Sequence, residues 1–274
     1  FAITESQKVR AGDKVVLAKT PALPGGREVY YIIDSYRVPR LIGIVLVFFA
    51  LAVYFGRKRG LAAIVGLLLS VAVIFYYILP QILKGSDPFL VSIAGAALIL
   101  FFSLYLSHGF NKRTSLAVAS SFICLGLAVA IDLIFVRLAK LTGNGTEEAF
   151  YLQFGSFNLD LQGLLLGGII IGVLGVLDDV TTAQTAAIEE ISKANPALVF
   201  GELYTRGMSV GREHIVSLVN TLVLAYVGVS FPFLLLYASQ KTQAFWMTLN
   251  SAFVAEELVR TLVGSTVLVL AVPI

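Results

Sequence analysis

The feature that most restricts this chain is a series of apolar blocks, each about 18–25 residues long, recurring from residue 38 to the carboxyl end. A block of that length crosses a hydrocarbon core of about 30 Å as a helix. Charged residues make up 14% of the sequence, against roughly 25% in a soluble domain. Too little polar surface remains to face water all round. The expected fold is an all-α polytopic transmembrane helix bundle with a small β-rich extramembrane segment at the amino end.

Residues 1–36 differ from the rest. VRAGDKVVLAK and REVYYIIDSYR are rich in β-branched and aromatic residues, with Pro21, Pro24, Gly25 and Gly26 between them. They read as two strands joined by a loop. Two strands alone are marginal in water, so they are expected to be the tail of a larger extracytoplasmic domain. Residues 37–274 form the helical domain. A chain that starts at Phe1 and stops at Ile274 inside an apolar run is expected to be a fragment or a trimmed product.

Seven spans are expected. The first covers 38–55 and ends at Gly56-Arg57-Lys58-Arg59; the second covers 61–79 and stops at Pro80. The third and fourth cover 89–107 and 115–136. The fifth starts near Leu161, the sixth covers 215–238, and the seventh begins within 250–260. A connector at about 190–213 joins the fifth and sixth. Placing the basic turns in the cytoplasm follows the positive-inside rule: Arg57, Lys58, Arg59, Lys112, Arg113, Lys193, Arg206 and Arg212 are then inside. Only Lys84, Arg137, Lys140 and Lys241 lie outside, with Arg260 at the last boundary. Residues 1–36 and 141–150 are then extracytoplasmic. Asn144-Gly145-Thr146 matches a glycosylation acceptor, though a plain turn suits so short a loop better.

Asp178 and Asp179 are the only charged residues between Leu161 and Ile188. The run measures roughly 42 Å as a helix, and the pair lies a little past its midpoint. A carboxylate at that depth costs about 2.5–3.5 kcal/mol on insertion scales, so in-membrane acids mark ion or proton paths. Gly168, Gly172, Gly175 and Asp179 share one helical stripe, and small residues let helices approach; Asp179 is expected to face the bundle interior. Asp178 lies about 100° round, above Thr182 and Thr185. With Thr181 and Gln184 these hydroxyls draw a polar track toward the cytoplasm.

Other polar residues are candidates of a second kind. Glu256 and Arg260 are expected to pair at i, i+4, leaving Glu257 or Arg260 as a counter-group on the path. Asn220 and Thr221 are expected to bond between helices. Asp132, five residues before Arg137, is expected at the interface, and Asp160 at the start of the fifth helix with Asn158 as its cap. Pro232 is expected to break or kink the sixth span. No HExxH or other metal spacing occurs, no GxxxxGK[ST] loop occurs, and Cys124 is the one cysteine. No metal, nucleotide or other cofactor is therefore expected. The net charge of +3 is small, and nucleic acid is not an expected partner.

The segments HGFNKRT (108–114), LTGNGTEE (141–148), GVLDDVTTAQTAAIEEISKANP (175–196), RGMSVGREHIVSLVNTLVLAYVG (206–228) and AEELVRTLVGS (255–265) resemble the bacterial YibE/F-like family. The resemblance extends to VRAGDKVVL and implies a multi-pass protein of the bacterial inner (cell) membrane. It also implies a further amino-terminal span and most of an outer domain before Phe1. Residues 170–230 are similar to the proton-relay helices of SecDF and resistance-nodulation-division transporters, which implies that Asp179 carries the proton. The aspartate helix here is the fifth after the outer segment rather than the third.

The expected function is gradient-coupled transport of a small solute or ion, driven by protons or another cation. Asp178, Asp179, Thr182, Thr185, Asn220, Glu257 and Arg260 are the expected path. The alternative is a non-transporting assembly or scaffold factor acting through its outer domain. An enzyme is not expected, since no nucleophile–base set occurs. The expected partners are the lipid bilayer, the solute or ion, and a second copy of the chain or another membrane protein.

Overall fold

The computed structural model describes residues 9–20, 29–155, 159–239 and 244–274. Asn158, Lys241 and the loop residues Pro21, Pro24, Gly25 and Gly26 lie outside them. The chain divides into two compact units, 1–61 and 62–274.

In the first unit, β1 (Val15–Thr20) pairs antiparallel with β2 (Val29–Ser35), Val15 opposite Ser35, with a bulge between Val16 and Leu17. The two expected strands thus form a ribbon, and every residue of β2 is exposed. α1 (Val38–Val73) follows. Its backbone leaves the helical region at Arg57 (φ 50°, ψ −130°), so two helices meet there. Their junction lies in the basic turn expected between the first two spans. A Cβ at Gly60 would collide with the Ala52 carbonyl oxygen, so only glycine fits at this position.

In the second unit, α1 runs into a π-helical turn, Ile74–Ile78, and then α2 (Leu79–Leu83). The second apolar block therefore continues past Pro80 rather than stopping there. Proline lacks an N–H and crowds the carbonyl four residues back, and a π turn relieves that conflict by widening the helix. α3 (Pro88–His108) starts at Asp87, whose carboxylate accepts from Phe89 N at 2.8 Å and Leu90 N at 3.1 Å. α4 (Lys112–Leu138) starts at Asn111, which accepts from Thr114 N at 2.9 Å. These side chains satisfy amides that a helix start leaves unpaired.

The remaining elements are α5 (Glu147–Phe154), α6 (Leu161–Ala194), α7 (Phe200–Val229), α8 (Phe231–Ser239), α9 (Phe245–Leu249) and α10 (Ala252–Ala271). Asp160 caps α6, accepting from Gln162 N at 3.1 Å. Residues 190–213, expected as a connector, are helical except for 195–199. α7 and α8 meet at Ser230 with a 62° bend, two residues before Pro232. The break expected from that proline is present.

α6 is the centre of the second unit, packed against α3, α4, α7 and α10. Its buried face is made of branched side chains, among them Leu166, Ile169, Ile170, Val173, Leu174 and Leu177. Cys124 is buried in the same core, as a small apolar residue would be.

Among the described residues, four helical stretches are long and apolar enough to cross a membrane: Val38–Leu83, Pro88–His108, Lys112–Leu138 and Leu161–Ala194. The bent pair α7–α8 is a fifth if it counts as one span. The first stretch contains the break at Arg57. α10 is 20 residues long but carries Glu256, Glu257 and Arg260. The protein is thus an apolar helical bundle of membrane type.

Candidate polar sites along helix α6

Two polar layers cross the bundle at different heights of α6. One lies near Gly168 and Gly172, the other at Asp178–Gln184. Ten residues from Gly168 to Asp178 correspond to roughly 15 Å of helix.

At the second layer, Asp178 and Asp179 occupy different environments. Asp178 is half-buried, and its Oδ1 has no hydrogen-bond partner. Ser103 of α3 presents its hydroxyl to the same carboxyl group. Asp179 is exposed and lies in the field of His108, the last residue of α3. The expectation that Asp179 faces the interior is overturned. The glycine stripe opens toward Asp179: Gly175 is exposed, and nothing lies within 4 Å of where its side chain would begin, whereas Gly168 and Gly172 have Arg260 and Tyr226 beside them. The reason is steric, because α3 and α4 pack on the branched residues of α6 and leave a groove at Gly175 and Asp179.

The threonine track is present but turned on its own helix. The hydroxyls of Thr181, Thr182 and Thr185 donate to the carbonyls of Leu177, Asp178 and Thr181, each four residues back. Such bonding leaves the oxygens as acceptors only. Ser121 of α4 joins the layer, 2.7 Å from Thr181 Oγ1 and fully buried. Gln184 donates to the Gly207 carbonyl of α7 at 3.0 Å, and its Oε1 is buried without a partner. Beyond it, Glu189 bridges Lys193 at 2.9 Å and Arg113 of α4 at 3.6 Å.

At the first layer, α10 supplies the charges. Glu257 pairs with Arg260, Oε1 to Nε, at 3.4 Å. The expected Glu256–Arg260 pair does not form. Glu256 points the other way, 3% exposed, and accepts from Gly145 N at 3.0 Å. A Cβ at Gly145 would sit 2.8 Å from that carboxylate, so the loop needs glycine there. Asn144-Gly145-Thr146 is thus a turn held from below, with Thr146 accepting from Ala149 N at the start of α5. Arg260 lies over Gly168, its Nη1 3.7 Å from the missing Cβ, and Tyr226 Oη of α7 stands 3.5 Å from that of Gly172.

Asp132 belongs to this layer and not to an interface. It is 0% exposed, and neither carboxylate oxygen has a hydrogen-bond partner. Arg260 is the cation acting on it. The sequence contained the signal: Ser121, Cys124, Leu125, Ala128, Asp132 and Val136 follow the buried stripe of α4. α4 has 27 residues, longer than a span needs, so Asp132 falls within the bundle despite its nearness to Arg137. Asn220, by contrast, is exposed on α7 and joins neither layer by a hydrogen bond. Thr221 bonds back to the Ser217 carbonyl rather than to another helix.

Among the described residues, no three histidine, cysteine or acidic side chains are grouped to hold a metal ion. A family model described as YibE/F-like protein matches residues 44–274, so the β ribbon lies outside the match. No curated protein and no solved structure matches the chain. Covering both polar layers and every helix that builds them, the family match places this chain in the YibE/F-like family.

Proposed function

We propose that the chain is a seven-span protein of the bacterial inner membrane that moves a small solute or ion by coupling to a proton or cation gradient. In this reading residues 1–36 are extracytoplasmic, and Asp178 loads and releases the coupling ion. Asp179 and the oxygens of Thr182 and Thr185 lead from it toward the cytoplasm.

One observation supports the reading above the others. Within a stretch of α6 whose only other charged residue is Asp179, the Asp178 carboxyl lies in the bundle with one oxygen buried and unpartnered. Apolar surroundings disfavour an isolated carboxylate unless a cation or a proton compensates it. A residue so placed binds a coupling ion in one state and yields it in another. The part assigned to Asp179 from sequence passes to Asp178, since Asp179 already reaches the groove.

The alternative, an assembly factor acting through its outer segment, draws on the exposed β1–β2 ribbon. The two readings separate in liposomes loaded with a pH dye. Under an imposed gradient the parent protein is expected to carry flux, Asp178→Asn to abolish it and Asp179→Asn to reduce it, with membrane abundance unchanged. A parent that moves nothing, or an Asp178→Asn variant that moves as much as the parent, removes the transport reading.

A further inference from the structure

We propose that Asp132 is a second proton-binding site, separate from Asp178, whose occupancy is controlled by Arg260 swinging between Asp132 and Glu257. Its place in a transport cycle rests on the reading above; the chemistry of the site does not.

Asp132 is enclosed on α4 with both oxygens unpartnered. A carboxylate in that position needs compensation, because an uncompensated buried charge costs several kcal/mol. The helices packed against α4 are α3, α6 and α10. α3 contributes no ionisable group at this height, and α6 has none from Leu161 to Leu177. α10 contributes Glu256, Glu257 and Arg260, and Tyr226 of α7 lies in the field of the last two. Glu256 is already engaged by Gly145. The guanidinium of Arg260 does not give up its proton, so it acts as a fixed positive charge on a flexible stem.

The structure holds one of two arrangements. Arg260 Nε is 3.4 Å from Glu257 Oε1, yet forms no hydrogen bond there and none elsewhere. That contact is a loose ion pair, and Gly168 leaves space for the side chain to move. With Arg260 on Glu257, Asp132 holds a proton on one oxygen. When Arg260 turns to Asp132, that O–H bond breaks and the proton leaves to water, and the resulting carboxylate pairs with the guanidinium. Glu257, 23% exposed, then takes up a proton from water. The charge within the layer is the same before and after. A proton suits the site better than a metal ion, which needs several converging oxygens, and no such group exists among the described residues.

The test is infrared spectroscopy of the reconstituted full chain at neutral pH, where a protonated carboxyl has a carbonyl stretch distinct from that of a carboxylate. Asp132→Asn is expected to remove one such band. Glu257→Gln, which frees Arg260 for Asp132, is expected to weaken the same band several-fold, and Arg260→Gln to retain it. Arg260→Met likewise removes the charge, is expected to retain the band, and serves if the Gln variant does not accumulate. An acid band untouched by Asp132→Asn, or one indifferent to Glu257→Gln, overturns the site. The band lost in Asp178→Asn is read in the same spectra, so failure at Asp132 leaves the Asp178 reading standing, and the reverse.

Discussion

The two polar layers of α6 solve opposite problems. Around Gly168 the helices are closed: Asp132 and Glu256 are enclosed, and the charges are distributed over α4 and α10. Around Asp178 they are open on one side: Asp179 and Gly175 are exposed, and the hydroxyls bond within their own helix. A buried polar layer gains order only when each member finds a partner. The closed layer does so for Glu256 and leaves Asp132 unsatisfied; the open layer exposes Asp179 and leaves Asp178 Oδ1 and Gln184 Oε1 without partners.

That contrast predicts unequal responses to mutation. The largest expected effect is at Glu256. Changing Glu256→Ala removes the charged acceptor from Gly145 N and opens a hole beneath the loop, for a loss of about 3 kcal/mol. The measurement is thermal or denaturant unfolding of the purified protein in detergent. Asp179→Ala in the same assay is expected to change little. Equal losses would erase the distinction between closed and open layers.

A steric comparison follows at smaller magnitude. A Cβ at Gly167 would meet Ser92 of α3 at well under contact distance, so Gly167→Ala is expected to cost about 1–3 kcal/mol by overpacking. Gly175 has open space around it, so Gly175→Ala is expected to stabilise by about 0.5–1 kcal/mol through helix propensity. Opposite signs in one unfolding series would support the groove. A loss at Gly175 would mean that another helix fills it.

The Ser121–Thr181 hydrogen bond measures how tightly α4 is tied to the open layer. A double-mutant cycle with Ser121→Ala and Thr181→Val is expected to give a coupling of about 0.6 kcal/mol, as is usual between membrane helices. A coupling of zero would detach Ser121 from the layer.

The smallest effect is a reference outside the bundle. The Arg37 guanidinium hydrogen-bonds Asp34 at 2.6 Å and holds its carboxyl below the usual carboxylate range, helped by Ser35 N. A lowered folded-state value means that the pair is formed at neutral pH and lost as pH falls through it. Both groups are exposed, so solvent screens the contribution to stability. In Arg37→Ala the Asp34 titration midpoint, followed by NMR, is expected to move up toward the ordinary value. An unchanged midpoint would show that Arg37 does not act on Asp34 in solution.

Much of the architecture was legible in the residue order. The apolar blocks, the basic turn at Arg57 and the break near Pro232 each follow from a local rule, because length, charge and proline geometry act within a few residues. The same rules placed Asp178 in the middle of a long uncharged helix. They erred at Asp179, since a stripe of glycines reports that close approach is allowed and not that a neighbour takes the space. They also erred at Asp132 and at the Glu256–Arg260 spacing, where the partner lies on another helix.

The sequence alone determined that this chain is a bundle of membrane-type helices with carboxylates inside it, because hydrophobic length and the cost of desolvating charge depend on composition along one segment. Only the tertiary structure decided which carboxylate is enclosed and which is open. That choice depends on which faces of α3, α4, α7 and α10 meet α6, and no single helix contains that information.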